Sequence, residues 1–75
     1  MRRKLPEIDF PAVCRYLRER GRWTQKEFAD RIGADLRNYQ RWEAGSTKPN
    51  PDAAFHLCRL LFEIDGKIEG KWYKN

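Results

Sequence analysis

Apolar residues recur along this chain at the three- and four-residue spacing of an α-helix, and they do so in four separate stretches. The spacing predicts four helices, each with one side turned toward a common core. From the first helix to the fourth, the residues predicted to face inward are Val13, Cys14 and Leu17, then Phe28, Ala29 and Ile32, then Tyr39 and Trp42, and finally Ala54, Leu57, Cys58 and Leu61.

Residues that start and stop helices frame these stretches. Thr24 is a typical helix-capping residue, and Glu27 three positions later completes a capping box with it. The second and third helices are therefore short and joined by a tight turn. The other predicted N-terminal caps are Asp9, Asp35 and Asn50, and the predicted helix ends are Gly21, Gly33 and Gly45.

The residues after the fourth helix break the helical pattern. Gly66 and Gly70 disfavour a regular helix after Glu63, and the alternation of residues 67–73 predicts a short strand. Because a lone strand is unstable in water, this tail must pack on the helices, on a two-fold mate or on another protein. Pairing across a dimer, by strand or by swapped packing of Trp72, is the favoured interpretation, and a tail folded back over the fourth helix is the alternative.

Length and charge set the organisation of the chain. Its 75 residues give room for one domain, and its formal net charge of +5 favours an anionic partner. The predicted fold class is all-α, a compact four- to five-helix domain with a short irregular or extended C-terminal tail. Near the N-terminus, Arg2, Arg3 and Lys4 either contact the partner or stay in solvent. The expected parts are a flexible basic arm over residues 1–8, a helical domain over residues 9–63, and a tail over residues 64–75 that is a candidate dimerisation segment.

Several classes of protein are disfavoured by the sequence. No apolar stretch is long enough to span a bilayer or to act as a signal peptide, so we expect a cytoplasmic protein. Cys14 and Cys58 are far apart, and His56 beside Cys58 has no second pair of ligands, so no metal or cofactor is expected. His56 also has no nucleophile placed beside it, which argues against an enzyme.

The outer side of the third predicted helix is rich in hydrogen-bond donors. Arg37 and Arg41 are four residues apart, and an arginine can donate two parallel bonds to O6 and N7 of guanine. On an arbitrary helix both would be ordinary solvated side chains, but here they lie opposite the predicted core residues. Leu36 either touches a thymine methyl group or packs partly into the core. The predicted base-reading residues are Leu36, Arg37, Gln40 and Arg41.

The chain resembles the Cro/repressor-type (Xre-like) helix-turn-helix regulators, which have a lambda-repressor-like fold. The second and third helices are also similar to the DNA-binding half of MqsA-type antitoxins, without a counterpart of the zinc-binding half. The residues that carry the family resemblance are Thr24-Gln25, Phe28-Ala29, Ile32-Gly33, Tyr39, Trp42-Glu43, Gly45, Pro49, Leu57-Cys58 and Leu61.

The resemblance implies roles for residues around the third helix. It implies a structural ion pair between Arg18 and Glu43 that ties the first helix to the end of the third. Arg22 stands where the family usually has the glycine that this chain places one residue earlier, at Gly21. Contacts to phosphates would fix the register of the protein on DNA. The predicted phosphate-binding residues are Arg22, Thr24, Gln25, Asn38, Ser46, Thr47, Lys48 and Asn50.

These observations predict a sequence-specific regulator of transcription that binds double-stranded DNA. It would be a repressor or autorepressor that reads the major groove of an operator with residues 35–44 and binds as a homodimer. When bound to DNA it would be associated with the nucleoid. The alternative is a protein-interaction module, such as an antitoxin or accessory factor that binds a toxin or another partner protein. The apolar surface for that role would come from Phe62, Ile68, Trp72 and Tyr73.

Overall fold

The computed structural model describes residues 7–74, so Arg2, Arg3 and Lys4 lie outside the described residues. Four helices dominate the chain, and the predicted all-α helix-turn-helix fold is confirmed. Two very short strands and a 3-10 turn complete it. In chain order the elements are β1 (Glu7–Ile8), α1 (Phe10–Arg20), α2 (Gln25–Arg31), α3 (Leu36–Ala44), α4 (Pro51–Asp65), the 3-10 turn (Gly70–Trp72) and β2 (Tyr73–Lys74).

Each helix begins directly after the residue that the sequence predicts as its cap. The Thr24 hydroxyl accepts a bond from the backbone N–H of Glu27 at 3.1 Å, and the Glu27 carboxylate accepts one from the backbone N–H of Thr24 at 2.8 Å. Gly45 ends α3 at a φ of 83°, a left-handed conformation that glycine adopts without steric cost. The side chains that cap the other three helices belong to Asp9, Asp35 and Asn50.

The four helices enclose one core, which contains nearly all of the residues predicted to face inward. Phe28, Tyr39 and Leu57 are fully buried, and the Phe28 and Tyr39 rings meet edge to face with centroids 5.5 Å apart. On α4 the inner face is rotated slightly from the predicted one. Ala53 is buried there, whereas Ala54 and Cys58 are only half-buried.

The two ends of the described chain are held together by a small antiparallel ribbon. Glu7 pairs with Lys74 and Ile8 pairs with Tyr73. The backbone N–H of Asp9 continues this pairing by donating to the carbonyl oxygen of Trp72 at 2.7 Å. The expectation of a flexible arm over residues 1–8 is therefore wrong for residues 7 and 8, because backbone hydrogen bonds hold them.

The C-terminal tail also differs from its predicted form. A 3-10 turn occupies residues 70–72, so the predicted strand over residues 67–73 is wrong and extended pairing is confined to residues 73 and 74. Trp72 is buried, and its ring lies 4.9 Å from the ring of Tyr16 on α1. Trp72 thus packs on the first helix of its own chain. The Tyr16 hydroxyl donates to Asp65 at 2.8 Å, which ties α1 to the end of α4.

Candidate nucleic-acid interface

The turn between α2 and α3 sets how the third helix is presented. The second helix ends at Arg31, and Gly33 then takes a φ of 71°, which glycine tolerates better than other residues. The backbone N–H of Ala34 donates to the carbonyl oxygen of Ala29 at 2.8 Å and closes the turn. As a result α3 begins at Leu36, only a few residues after α2 ends.

The inner side of α3 is fixed by its buried residues, and this leaves the opposite side in solvent. Tyr39, Trp42 and Glu43 are buried. Arg37 and Arg41 are exposed and share the opposite side of the helix, because residues four apart are neighbours on a helix surface. The other predicted base-reading residues flank this pair: Gln40 is exposed and Leu36 is half-buried.

Glu43 is a buried carboxylate that several donors surround. The Arg18 guanidinium donates from Nε to Oε2 at 3.0 Å and from Nη2 to Oε1 at 2.9 Å. The Tyr39 hydroxyl donates to Oε2, and the Gln25 amide donates from Nε2 to Oε1 at 3.3 Å. Burial alone would raise the pKa of Glu43, but the bonds from Arg18, Tyr39 and Gln25 and the Arg18 charge together lower that pKa below its ordinary value. The carboxylate is therefore ionised at neutral pH.

The hydrogen bonds of Glu43 extend outward to the surface of α3. Oε1 of Gln25 accepts a bond from Nε2 of Gln40 at 3.2 Å. Gln25 is the first residue of α2, so this bond joins the start of α2 to the exposed flank of α3. The two amides therefore connect the buried ion pair to the outer surface, an arrangement that the sequence does not reveal.

The loop that follows α3 is exposed and carries a lysine, Lys48. Ser46, Thr47 and Lys48 are exposed, and the backbone N–H of Ser46 donates to the carbonyl oxygen of Arg41 at 2.9 Å. Lys48 Nζ lies 3.0 Å from Oε1 of Glu7. An ion pair this exposed contributes at most about 1 kcal/mol, so Lys48 can exchange Glu7 for a phosphate at little cost.

Two other predicted phosphate-binding side chains already form capping bonds, and a third lies beside carboxylates. The Thr24 hydroxyl oxygen and the Asn50 side-chain carbonyl oxygen accept capping bonds. The groups left to donate to a phosphate are the O–H of Thr24 and the NH2 group of Asn50. Asn38 lines a crevice beside Asp35 and Asp52, whose carboxylates disfavour a phosphate there. The structure therefore separates Asn38 from the other predicted contacts.

The turn after α1 explains the shifted glycine. A Cβ atom on Gly21 would lie 2.6 Å from the Trp23 ring, so the position needs glycine for space. Arg22 adopts a φ of 57°, the left-handed conformation that favours glycine. The backbone thus makes the turn that a glycine at position 22 would make, and the Arg22 side chain stays exposed.

Replacement of Arg22 by glycine is expected to stabilise the protein. The left-handed backbone of a residue with a Cβ costs about 1–2 kcal/mol, and the greater freedom of glycine in the unfolded chain offsets about half of that, so Arg22→Gly should gain about 0.5–1 kcal/mol. Urea unfolding would measure the gain. Arg22→Ala is the matched control, because it removes the charge and keeps the Cβ, and equal stability of the two variants would contradict the strain at this position.

Cys14 is a free cysteine in the core. The pKa of the Cys14 thiol is raised to about 12, mainly by burial and also by the nearby Glu43 charge, so Cys14 stays protonated. Within residues 7–74, no three His, Cys, Asp or Glu side chains are grouped closely enough to hold a metal ion.

Phe55 and Phe62 are 70% and 57% exposed on α4. Sequence reasoning named Phe62 and missed Phe55, although their seven-residue spacing places both on one side of a helix.

Comparison with known proteins identifies one match. A model of a helix-turn-helix family, HTH_3, matches residues 15–65. The matched segment runs from within α1 to the last residue of α4 and therefore covers the whole ion-pair network and the exposed side of α3. No curated protein and no solved structure gave a match. In the part of the chain that the structure describes, none of the helices is both long and apolar enough to cross a membrane.

Proposed function

Since the chain belongs to the Cro/C1-type helix-turn-helix family, a family of DNA-binding domains without enzymatic activity, we propose that it is a sequence-specific regulator of transcription. It binds double-stranded DNA and reads the major groove with α3. The observation that carries this proposal is the pair of exposed arginines, Arg37 and Arg41, on the side of α3 opposite its buried residues.

Arg37 and Arg41 are available for contacts with bases. Within residues 7–74, neither guanidinium forms an ion pair with a carboxylate, so neither must give up a partner to bind DNA. Each planar guanidinium can donate two parallel bonds to the O6 and N7 acceptors that one guanine presents in the major groove. Half-buried Leu36 lies one residue before Arg37 and can offer a methyl contact to thymine.

Positioning on the duplex comes from side chains on two segments beside α3. Arg22 lies before α2, and Gln25 is the first residue of α2. Thr47 and Lys48 follow α3. Contacts of such side chains with phosphates add affinity and orientation without reading sequence. We assign the sequence-independent part of binding to these residues.

We propose further that the protein acts as a repressor on a two-fold symmetric operator and binds it as a homodimer. One α3 reads only a few base pairs, so useful specificity needs two half-sites about 34 Å apart. Phe55 and Phe62 on α4 leave an apolar surface that a second copy can cover. Repression follows if the bound dimer occupies DNA that the polymerase needs.

Loss of either arginine is expected to weaken specific binding and to spare non-specific binding. Arg37→Ala or Arg41→Ala should lower affinity for a duplex selected from random sequences by about 5- to 150-fold, which corresponds to about 1–3 kcal/mol. Titration of the labelled duplex and of an unrelated duplex would measure both affinities. Lys48→Ala is the matched control, because it should weaken both equally and lower the salt slope by about one unit. If the arginine variants protect the selected site like the parent, then α3 does not read it.

A further inference from the structure

A cleft lies between the N-terminal end of α1 and the loop that follows α3. Its volume is about 210 Å³, and its walls include Glu7 and Ile8 of β1, Phe10 and Pro11 of α1, and Thr47 and Lys48 of the loop. A Cβ atom on Gly45 would lie 3.5 Å from Cγ of Pro11, so the missing side chain at position 45 keeps this space open. Pockets for drug-sized ligands measure about 300–1,000 Å³, so this cleft suits a smaller ligand of about ten non-hydrogen atoms.

The cleft combines apolar walls with two opposite charges. Ile8, Phe10 and Pro11 are half-buried and offer carbon surface to a ligand. Glu7 and Lys48 are exposed, and Lys48 Nζ lies 3.0 Å from Oε1 of Glu7. The two charges therefore lie side by side on the solvent side of an apolar cleft. A matching ligand carries one positive and one negative group next to an apolar body.

A free amino acid with an apolar side chain has this arrangement of groups. At neutral pH its α-carboxylate is negative and its α-ammonium is positive. The ligand carboxylate can accept bonds from Lys48 Nζ and from the Thr47 hydroxyl, and the ligand ammonium can donate to the Glu7 carboxylate. A ligand with a single charge is a poorer match, because Glu7 repels an anion and Lys48 repels a cation.

We propose that the cleft binds a small apolar amino acid as a zwitterion, with its carboxylate on Lys48, its ammonium on Glu7 and its side chain against Phe10. The ligand then occupies the same lysine that the proposed function assigns to a phosphate. Ligand and DNA therefore oppose each other, and each lowers the affinity of the other by the same factor. The site stands on the cleft itself, whereas its effect on DNA rests on the proposed function.

The first test titrates the full chain with leucine and with three compounds that each lack one of its groups. The NMR shifts of the Ile8, Gly45 and Thr47 backbone amides report binding at the cleft. Leucine should bind with a Kd of about 1 mM, as expected for so small a ligand. Glycine, which lacks the side chain, should bind at least about 10-fold more weakly. Isopentylamine lacks the carboxylate and isocaproate lacks the ammonium, so each should bind about fivefold more weakly.

Two variants assign the ligand charges to their partners. In Glu7→Gln, leucine and isocaproate should bind equally, because the ligand ammonium has lost its carboxylate partner. In Lys48→Met, leucine and isopentylamine should bind equally, because the ligand carboxylate has lost its ammonium partner. Lys26→Met is the matched control, because it removes an exposed lysine that pairs with Asp30 at 3.3 Å on α2. It should keep the order of the four ligands.

A titration with DNA measures the opposing effect. Saturating leucine should lower the affinity for the selected duplex and for an unrelated duplex about fivefold at about 0.15 M salt, as expected for the loss of one phosphate contact. The salt slope should fall by about one unit. In Lys48→Met, leucine should leave both affinities unchanged.

Each negative result points to a different error. If leucine leaves the cleft amides in place, or if glycine binds as tightly as leucine, the site is overturned. If Glu7→Gln and Lys48→Met keep the order of the four ligands, the recognition of a zwitterion is overturned. If leucine binds as expected and DNA affinity is unchanged, the site stands and the phosphate contact of Lys48 is overturned. If the wild type binds no duplex, the proposed function fails, and the ligand titration still decides the site.

Discussion

Glu43→Ala is expected to lower the free energy of unfolding by about 3 kcal/mol. The substitution leaves the Arg18 charge without its carboxylate and leaves the Tyr39 hydroxyl with only its 3.2 Å bond to the Cys14 carbonyl oxygen. Breaking a buried ion pair typically costs about 3–5 kcal/mol. The value lies at the low end because about a fifth (22%) of the Arg18 side chain remains exposed and can be hydrated. A domain of this size is stable by only about 5–10 kcal/mol, so a large fraction of its stability would be lost.

A double variant separates the ion pair from the rest of the packing. Arg18→Ala combined with Glu43→Ala should be more stable than the sum of the two single losses implies, because neither charge is then left alone. Urea unfolding of the four proteins gives the coupling energy. Strictly additive losses would show that the two side chains do not stabilise each other.

The same ion pair makes stability depend on pH. The pKa of Glu43 is lowered on folding, with burial opposing the shift and the bonds from Arg18, Tyr39 and Gln25 causing it. The contribution of Glu43 is therefore complete above the pKa of an unfolded glutamate, about 4.3, and is lost as pH falls through the lower folded pKa. The stability gap between wild type and Glu43→Gln should be largest near pH 7 and should narrow below about pH 4.

The helices could be predicted because their signals are local. The capping box of Thr24 and Glu27 spans four residues, and the spacing that buries Tyr39 and Trp42 repeats within a single helix. Neither depends on which other segment the helix meets. The predicted and observed helix starts agree for this reason.

The tail could not be predicted because its partners are distant in sequence. Ile8 pairs with Tyr73 across almost the whole chain, and strands of two residues are too short to show a period. The alternation of residues 67–73 indicated a strand, but the turn at residues 70–72 instead directs Trp72 onto Tyr16. Packing of Trp72 on α1 therefore outweighed the local sequence pattern and set the conformation of the tail.

The candidate interface was only partly visible in the sequence. The exposed side of α3 follows from the burial of Tyr39 and Trp42, so Arg37 and Arg41 could be assigned to it. The bond between Gln25 and Gln40 joins two helices across fifteen residues and has no sequence signature. The crevice that Asn38 shares with Asp35 and Asp52 also depends on how α3 meets α4.

Trp72→Ala is expected to lower the free energy of unfolding by about 3 kcal/mol, the low end of the usual cost of removing a buried aromatic ring. The ring is 7% exposed and packs on Tyr16, and the Trp72 carbonyl oxygen accepts the bond from Asp9 that anchors the terminal ribbon. The loss should appear as a fall in melting temperature of about 10–20 °C. Hydrogen exchange at the Asp9 amide should become faster at the same time.

Trp72→Phe is the matched control for this loss. The indole N–H is buried and finds no acceptor among residues 7–74, so phenylalanine keeps part of the ring and removes a polar group that gains nothing. Trp72→Phe should therefore cost much less than Trp72→Ala. Because Trp72 packs on its own chain, the difference between these two variants should not change with protein concentration. A difference that shrinks on dilution would mean that Trp72 packs against a second copy instead, since an intermolecular contact is lost as the dimer dissociates.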